Sequence, residues 1–298
     1  MTNKICILGG GWSNEREISL KSSHDVYEAL IEQKHDVVLY DMKSDSFHDL
    51  NDFIINNSID LVFNLIHGEG GEDGKVQSYL EKIGINFCGS NSTSSELSFN
   101  KYKTKQVWID HDLMTPKFTM YKDQNYDDLK TDFGESFFIK DICSGSSNNI
   151  FRVENENDFK NFTNVDSDRE YMVEKRIYAE EYTAAILNNQ VLPIIKIIPA
   201  DGFYDFNAKY KSEKTQFIFP QLEQKIVDEI NQEVFKAFNV LGCRTWARVD
   251  FFIHNNQIIL LEINTIPGMT DHSLVPKSAK QYGLSYYKLI LEIMGINA

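Results

Sequence analysis

RVDFFIHNNQIILLEIN, Arg248 to Asn264, alternates polar and apolar residues on both sides of an Asn-Asn pair. In its first half Arg248 and Asp250 fall on one face of a strand, with Val249 and Phe251 on the other. Its second half sets Glu262 and Asn264 against Leu261 and Ile263, and Asn255-Asn256 supplies the turn of a hairpin. A three-residue turn, Asn255 to Gln257, places Asp250 opposite Glu262 and Arg248 opposite Asn264. The two carboxylates then have Cβ atoms ~5 Å apart. They repel, and one takes up a proton unless a cation sits between them. Asp, Glu and Asn are hard oxygen ligands of the kind Mg²⁺ prefers, usually together with substrate phosphates. A solvated polar face on an ordinary antiparallel pair has the same pattern, and the hairpin by itself leaves both readings open.

The chain has 298 residues, 42% hydrophobic and 12% aromatic, which suffices for two or three compact domains. Its 30 basic and 44 acidic residues give a net charge of −14. No basic stripe is present, which argues against a nucleic-acid groove. Cys6, Cys88, Cys143 and Cys243 are scattered and form no CxxC, as suits a reduced protein without a zinc site. No apolar run approaches ~18 residues, and the opening ICIL is too short for a signal peptide. The expectation is a soluble cytoplasmic protein.

Strand and helix patterns alternate through the first ninety or so residues. Ile5–Leu8, Val37–Tyr40 and Leu61–Leu65 read as strands; Val26, Ala29 and Leu30, then Val76, Leu80 and Ile83, mark helices. That order predicts a small parallel sheet with ligands at its C-terminal strand ends, where Gly9–Glu17 and His67–Gly74 lie. Ser90–Ser95 (SNSTSS) reads as a linker. An α+β unit follows, with strands at Phe137–Lys140, Ile150–Val153 and Tyr171–Glu174. The last unit opens with EYTAAIL and VLPIIKII, turned by Asn188-Asn189. A helical stripe of Leu222, Ile226, Ile230 and Val234 then leads into the carboxylate hairpin.

GGGWSNEREISL (Gly9–Leu20) allows a ligand close to backbone N–H groups. It is no dinucleotide fingerprint, because Asn14 stands where the last glycine belongs. Glu15, Arg16 and Glu17 fit either an exposed helix start or a carboxylate holding a substrate ammonium. HGEGGEDG (His67–Gly74) packs four glycines, a histidine and three acids into eight residues, costly to order for a mere connector. CSGSSNN (Cys143–Asn149) fits a flap over a triphosphate or a simple mobile hairpin, and it is not a Walker A loop. In YDFNAKY (Tyr204–Tyr210), Lys209 is either a phosphate contact or a surface lysine. NTIPGMTDHSLVP (Asn264–Pro276) brings a Pro-Gly turn and hydroxyls up to the carboxylate strand.

In combination GGWSNEREISL, HGEGGEDG, FCGSN, YDFNAKY, RVDFF, LEINTIPGMT and HSLVPK resemble the D-alanine–D-alanine ligases of the ATP-grasp superfamily, in order and over nearly the whole chain. The resemblance implies three α/β domains, at 1–92, 93–180 and 181–298, the first a parallel-sheet domain and the central one α+β. It implies ATP as co-substrate, two Mg²⁺ ions with Mn²⁺ able to substitute, two D-alanine molecules and a homodimer. By position, Asp250, Glu262 and Asn264 are the implied metal ligands. Arg248 and the Gly268 N–H are implied at the oxyanion, Lys209 at the γ-phosphate, and Lys101 and Lys140 at the ATP phosphates. Glu174 and Ile177 would flank adenine and Glu181 would bind ribose. Glu15 would take the first ammonium in a set with Ser147 and Tyr210. His67 would line the first subsite, and Ser273 and Leu274 the second.

Four stretches depart from the family pattern. Lys140-Asp141 stands for Lys-Pro, SGSSNN (Ser144–Asn149) for EGSSVG, Arg176 for an aromatic or aliphatic hinge residue, and CRTWAR (Cys243–Arg248) for CKGWGR. They predict altered ATP affinity or lid dynamics in an active ligase. The alternatives are a ligase taking D-lactate or D-serine second, and a nucleotide-binding relative without catalysis.

Overall fold

In the computed structural model, residues 4–145, 149–162, 168–199 and 214–296 are described. Among them the strands form three sheets, one parallel and two antiparallel.

The first sheet is ordered β2-β1-β3-β4, with β1 Ile5–Gly10, β2 Val37–Met42, β3 Leu61–Asn64 and β4 Asn86–Phe87. All three pairings are parallel, so each needs a crossover. The connecting helices are α1 (Arg16–Glu32), α2 (Phe47–Asn57) and α3 (Lys75–Ile83). Leu8, Val62 and Ile66 face Leu50 and Ile54 of α2 and Leu80 of α3. On the other face, Ile5, Ile7 and Phe63 meet Val26 and Leu30 of α1. β1 runs two residues past the expected Leu8, so the first loop is only Gly11–Glu15 and sits at the C-terminal strand ends.

SNSTSS is not a linker. Asn91 accepts from Ser94 N and starts α4 (Ser92–Phe99), and Asn100 accepts from Lys103 N to start α5 (Lys101–Asp110). Ser94, Ser95 and Ser98 are buried, and Ser94 Oγ donates to Gly242 O at 2.7 Å. The serines that suggest a flexible tether are here small contact residues, behind an asparagine cap, that let α4 lie close to the third sheet.

The second sheet is ordered β5-β8-β6-β7, with β5 Phe118–Met120, β6 Phe137–Asp141, β7 Ile150–Val153 and β8 Tyr171–Lys175. Its apolar face packs on α6 (Tyr126–Phe133) and α7 (Glu156–Phe162) through Phe133, Phe137, Phe159 and Phe162.

The third sheet carries β9 (Glu180–Leu187), β10 (Gln190–Val191), β11 (Ile195–Ile198), β12 (Gln216–Ile218), β13 (Trp246–His254) and β14 (Gln257–Asn264). Asn188 and Asn189 turn β9 into β10 with φ of 45° and 67°. VLPIIKII is broken by Leu192–Ile194, so its second half returns as a separate strand against β9. The helix α8 (Gln224–Val240) starts after Leu222 and buries Ile230, Val234, Ala237 and Phe238 on this sheet.

The expected pairing of Arg248 with Asn264 and Asp250 with Glu262 is present, although by another route. Asn255 and Asn256 (φ 50° and 60°) form a two-residue turn closed by His254 and Gln257. A regular ladder from that turn would pair Glu262 with Val249 and drive it into the core. A bulge between Asp250 and Phe251 absorbs Leu261 and restores the polar register. Leu260 therefore stays in the core, while Leu261 turns to the same side as Glu262, contrary to strict alternation.

The chain ends by returning to its beginning. From α9 (Leu274–Tyr282) and α10 (Tyr286–Met294), Val275, Ala279, Leu289, Ile290 and Ile293 join the core formed by Ile5, Ile7, Val26 and Phe63. Trp246 of β13 packs edge-on against Phe63, centroids 5.8 Å apart. Such a pair contributes about 0.5–1.5 kcal/mol beyond the area it buries. The first and third sheets thus share one core.

Candidate functional site

Two cavities meet at Leu261–Glu262, the bulged step of β14. The larger, about 640 Å³, lies between the second and third sheets. Its lining includes Phe138, Lys140, Glu174, Ile177, Glu181 and Phe252, an apolar slot with a few charged groups. The smaller, about 50 Å³, brings Glu15, Glu72, Lys101, Arg248, Glu262 and Asn264 together from all three parts of the molecule.

At the hairpin, the cation that meets Asp250 is Arg248 itself. Its Nε donates to Asp250 Oδ1 at 2.9 Å and its Nη2 to Oδ2 at 2.8 Å, a two-pronged arrangement that fixes the guanidinium plane. Thr183 Oγ1 adds a third donor at 2.5 Å. A carboxylate has about four lone-pair sites, so Asp250 retains acceptor capacity. Asn264 Oδ1 accepts from Ile266 N at 2.9 Å and orients its amide from the same face. Among the described residues no three His, Cys, Asp or Glu side chains gather for a metal, because the third oxygen here belongs to an asparagine. Two opposed carboxylates and an amide, all hard oxygen donors, fit a divalent cation shared with phosphates.

Glu174 is 2% exposed and lies between two lysines. Lys140 Nζ donates to its Oε1, and Lys105 Nζ stands 2.8 Å from its Oε2. Burial pushes the carboxyl up, but the paired ammonium groups outweigh it and hold Glu174 below its ordinary value. Burial pulls Lys105 below the usual lysine range, against the opposing pull of Glu174.

The charge cluster after β1 separates. Glu15 is 5% exposed and faces the small cavity, while Arg16 pairs with Asp41 at 2.7 Å and Glu17 is exposed. Gly68 and Gly145 pack directly on the Glu15 carboxylate, since a Cβ at either would lie 2.7 and 2.2 Å from its Oε2. The two loops flagged in the sequence therefore converge on one acid. His67 is buried beside Glu72 (3.6 Å) and Ser22 Oγ (3.4 Å from Nε2), and Ser22 Oγ accepts from Met269 N at 3.2 Å. Gly268 lies against Ser273, whose hydroxyl accepts from Thr270 N at 3.0 Å. Leu274 packs with Ile195 and Ile197. His67 adjoins the small cavity through Glu72, and none of His67, Gly268, Ser273 and Leu274 is part of its lining.

Ser147, Lys209 and Tyr210 lie outside the described residues. Sequence reading missed Ser22, Lys105 and Thr183; of these only Lys105 left a trace, one helical turn after Lys101. Two of the departures meet in space. Asp141 accepts from Cys143 N (2.9 Å), Asn149 Nδ2 (3.3 Å) and Arg169 Nη1 (2.6 Å), and Asn149 adopts a left-handed φ of 54°. Asn is among the few residues that tolerate this conformation in place of glycine.

The families described as D-ala D-ala ligase N-terminus and D-ala D-ala ligase C-terminus match residues 46–90 and 108–295. The chain belongs to the D-alanine–D-alanine ligase family. A D-alanine–D-alanine ligase of Saccharophagus degradans is 38% identical over 98% of this chain and 93% of its own length. The crystal structure of the Bacillus anthracis D-alanine–D-alanine ligase complexed with ATP superposes with a TM-score of 0.83 at 28% identity, covering 98% of this chain and 96% of that one. The VanG D-Ala:D-Ser ligase of Enterococcus faecalis gives a TM-score of 0.83 at 25% identity, over 99% of each chain. The three sheets are those of the ATP-grasp ligases. Among the described residues no helix is long and apolar enough to cross a membrane.

Proposed function

We propose that this chain joins two D-alanine molecules at the expense of ATP, through a D-alanyl phosphate, to supply a peptidoglycan precursor in the cytoplasm. The observation that carries the reading is the junction at Leu261–Glu262, where a nucleotide-sized slot opens onto a small cavity holding Glu15, Lys101 and Arg248. Phosphoryl transfer needs positioning and charge neutralisation more than covalent help from the protein. Glu174 and Ile177 receive the adenine, Glu181 the ribose, and Lys140 and Lys101 the phosphates, with Lys209 at the γ-phosphate. Glu15 holds the ammonium of the first D-alanine, in a set with Ser147 and Tyr210, and His67 lines that subsite. The amine of the second D-alanine, its carboxylate held by Ser273 beside Leu274, attacks the acyl carbon. Arg248 and the Gly268 N–H stabilise the oxyanion of the tetrahedral species, which then expels phosphate. Asp250, Glu262 and Asn264 would hold two Mg²⁺ ions. When bound, these ions neutralise the transferring phosphates. Domain borders near residues 92 and 180, a homodimer, and no nucleic-acid or membrane partner complete the proposal.

The likeness to a D-Ala:D-Ser ligase supports one second reading, in which D-serine or D-lactate takes the place of the second D-alanine. The test is Mg·ATP-dependent phosphate release with D-alanine, L-alanine as control, and the product identified by mass. A D-Ala-D-Ala mass is the expected outcome. Release only after D-serine or D-lactate is added establishes the second reading, and no release with any of the three overturns both.

A further inference from the structure

Lys105 is one turn beyond Lys101 on α5, and its side chain is 1% exposed. Its ammonium has three polar partners, pairing with one carboxylate and donating to two oxygens. They are Glu174 Oε2 on β8 at 2.8 Å, Thr115 Oγ1 at 2.7 Å, and the carbonyl of Leu261 on β14 at 2.9 Å. Thr115 Oγ1 donates in turn to Leu260 O at 2.8 Å, and Leu260 N donates to Met114 O at 2.8 Å. Leu260 is therefore tied to the Met114–Thr115 segment and Leu261, at the bulge, to Lys105 directly. Glu174 and Leu261 belong to different sheets and line the same cavity.

We infer that Lys105 is a positioning residue for the ligase reaction: it holds Glu174, at the base end of the nucleotide slot, in fixed register with the bulge that presents Glu262 at the phosphate end. A lysine without solvent is a poor way to fill a core, since apolar residues of equal volume usually serve stability as well or better. What it supplies is geometry. Its partners are a side chain that faces the nucleotide and a backbone carbonyl next to a metal-facing carboxylate, one from each wall. Removing it leaves Lys140 and Glu174 as a balanced pair, so Lys105→Met does not strand a buried charge.

The inference rests on the slot being the nucleotide site, so the experiment separates the two. ADP binding is measured by calorimetry, without turnover, for wild type, Glu174→Gln, Lys105→Met and the double variant, alongside kcat and the KM for ATP and D-alanine. Glu174→Gln tests the slot, and wild-type ADP affinity in both single variants overturns the nucleotide reading itself. Lys105→Met is expected to weaken ADP binding and raise the KM for ATP about ten- to a hundredfold. The KM for D-alanine should change less than threefold. In the Glu174→Gln background the same change should weaken ADP binding less than about threefold, because the partner is already gone. A large effect of Glu174→Gln with none from Lys105→Met overturns the inference, and so do fully additive effects. Should Lys105→Met fail to fold, Thr115→Val removes one acceptor and the Leu260 tether while keeping the charges. It is expected to weaken ADP binding severalfold, and wild-type affinity there overturns the inference as well.

Discussion

Gly145→Ala probes the convergence of two loops on Glu15. Gly145 does not occupy the left-handed region, so its backbone accepts alanine without strain. The added Cβ would lie 2.2 Å from Glu15 Oε2 and 3.1 Å from Cδ, whereas ordinary contact begins at 3.4 Å. The oxygen must retreat by 3.4 − 2.2 = 1.2 Å, and it is the far end of a flexible side chain, so it yields before the loop does. Crowding of this kind costs about 1–3 kcal/mol, or roughly 5- to 150-fold in binding. The proposed function puts Glu15 at the ammonium of the first D-alanine, so the loss should fall on the KM for D-alanine at that subsite. The KM for ATP and the melting temperature should stay near wild type. The assay is phosphate release against D-alanine at saturating ATP. Glu15→Asp withdraws the carboxylate by one methylene and should be impaired by itself, yet adding Gly145→Ala to it should cost little more. A KM for D-alanine within twofold of wild type in Gly145→Ala, or single effects that multiply independently, would refute the steric argument.

Arg248→Ala and Glu262→Ala should each lower kcat by about a hundredfold or more, with a cooperative melt retained; near-normal turnover in either removes it from the reaction. Deleting Leu261 leaves a regular hairpin with Asp250 still opposite Glu262. That variant should fold and bind metal, while its KM for ATP rises because the slot loses its floor and Lys105 an acceptor; a collapsed fold contradicts the register argument. Glu174 is held below its ordinary value, so its stabilisation is complete above its unfolded pKa of ~4.3 and is lost as pH falls through the lower folded value. Glu174→Gln should accordingly flatten the decline of Tm below pH ~4.5, and an unchanged acid limb argues against the pairing. Burial pushes the Cys6 thiol up to about 12 and Cys88, Cys243 and Cys143 also up, but of the four only Cys143 is exposed. Alkylation of native protein at pH 8 should mark Cys143 first, and prior modification of Cys6 would contradict the packing of β1.

The first sheet was readable from periodicity, because buried parallel strands and amphipathic helices carry distinct apolar patterns in Ile5–Leu8, Val26–Leu30 and Leu61–Leu65. The facing of Asp250 and Glu262 was readable too, yet for an incomplete reason. A three-residue turn and a two-residue turn with a bulge give the same register, and alternation cannot tell which strand holds the extra residue. Only the packing of Leu260 and the carbonyl contact of Leu261 decide it. Ser90–Ser95 misled because serine serves linkers and buried small contacts alike, and the bonds of Ser94 to Gly242 and of Ser90 to Arg244 are long-range information. Lys105 left only its spacing from Lys101 for a similar reason: in KYKTKQ it is one of three lysines, and Glu174 and Leu261 lie on distant strands. Metal, phosphate and ammonium roles came from motif order rather than from any single spacing.

The shared core of the first and last elements also governs how this chain is made. Leu65 precedes Leu289 by 289 − 65 = 224 residues. At a synthesis rate of ~5–20 residues per second, β1 and β3 emerge about 11–45 s before the helix that covers them. During that interval Ile5, Ile7 and Phe63 have α1 on one side and no partner from α10. The α1 face of the nascent sheet is only partly covered, because Trp246 of β13 and then Leu289, Ile290 and Ile293 of α10 join Val26 and Leu30 there later. Completion of that face therefore waits for α10, and a chain truncated before Leu289 leaves part of it apolar and open to chaperones or proteases.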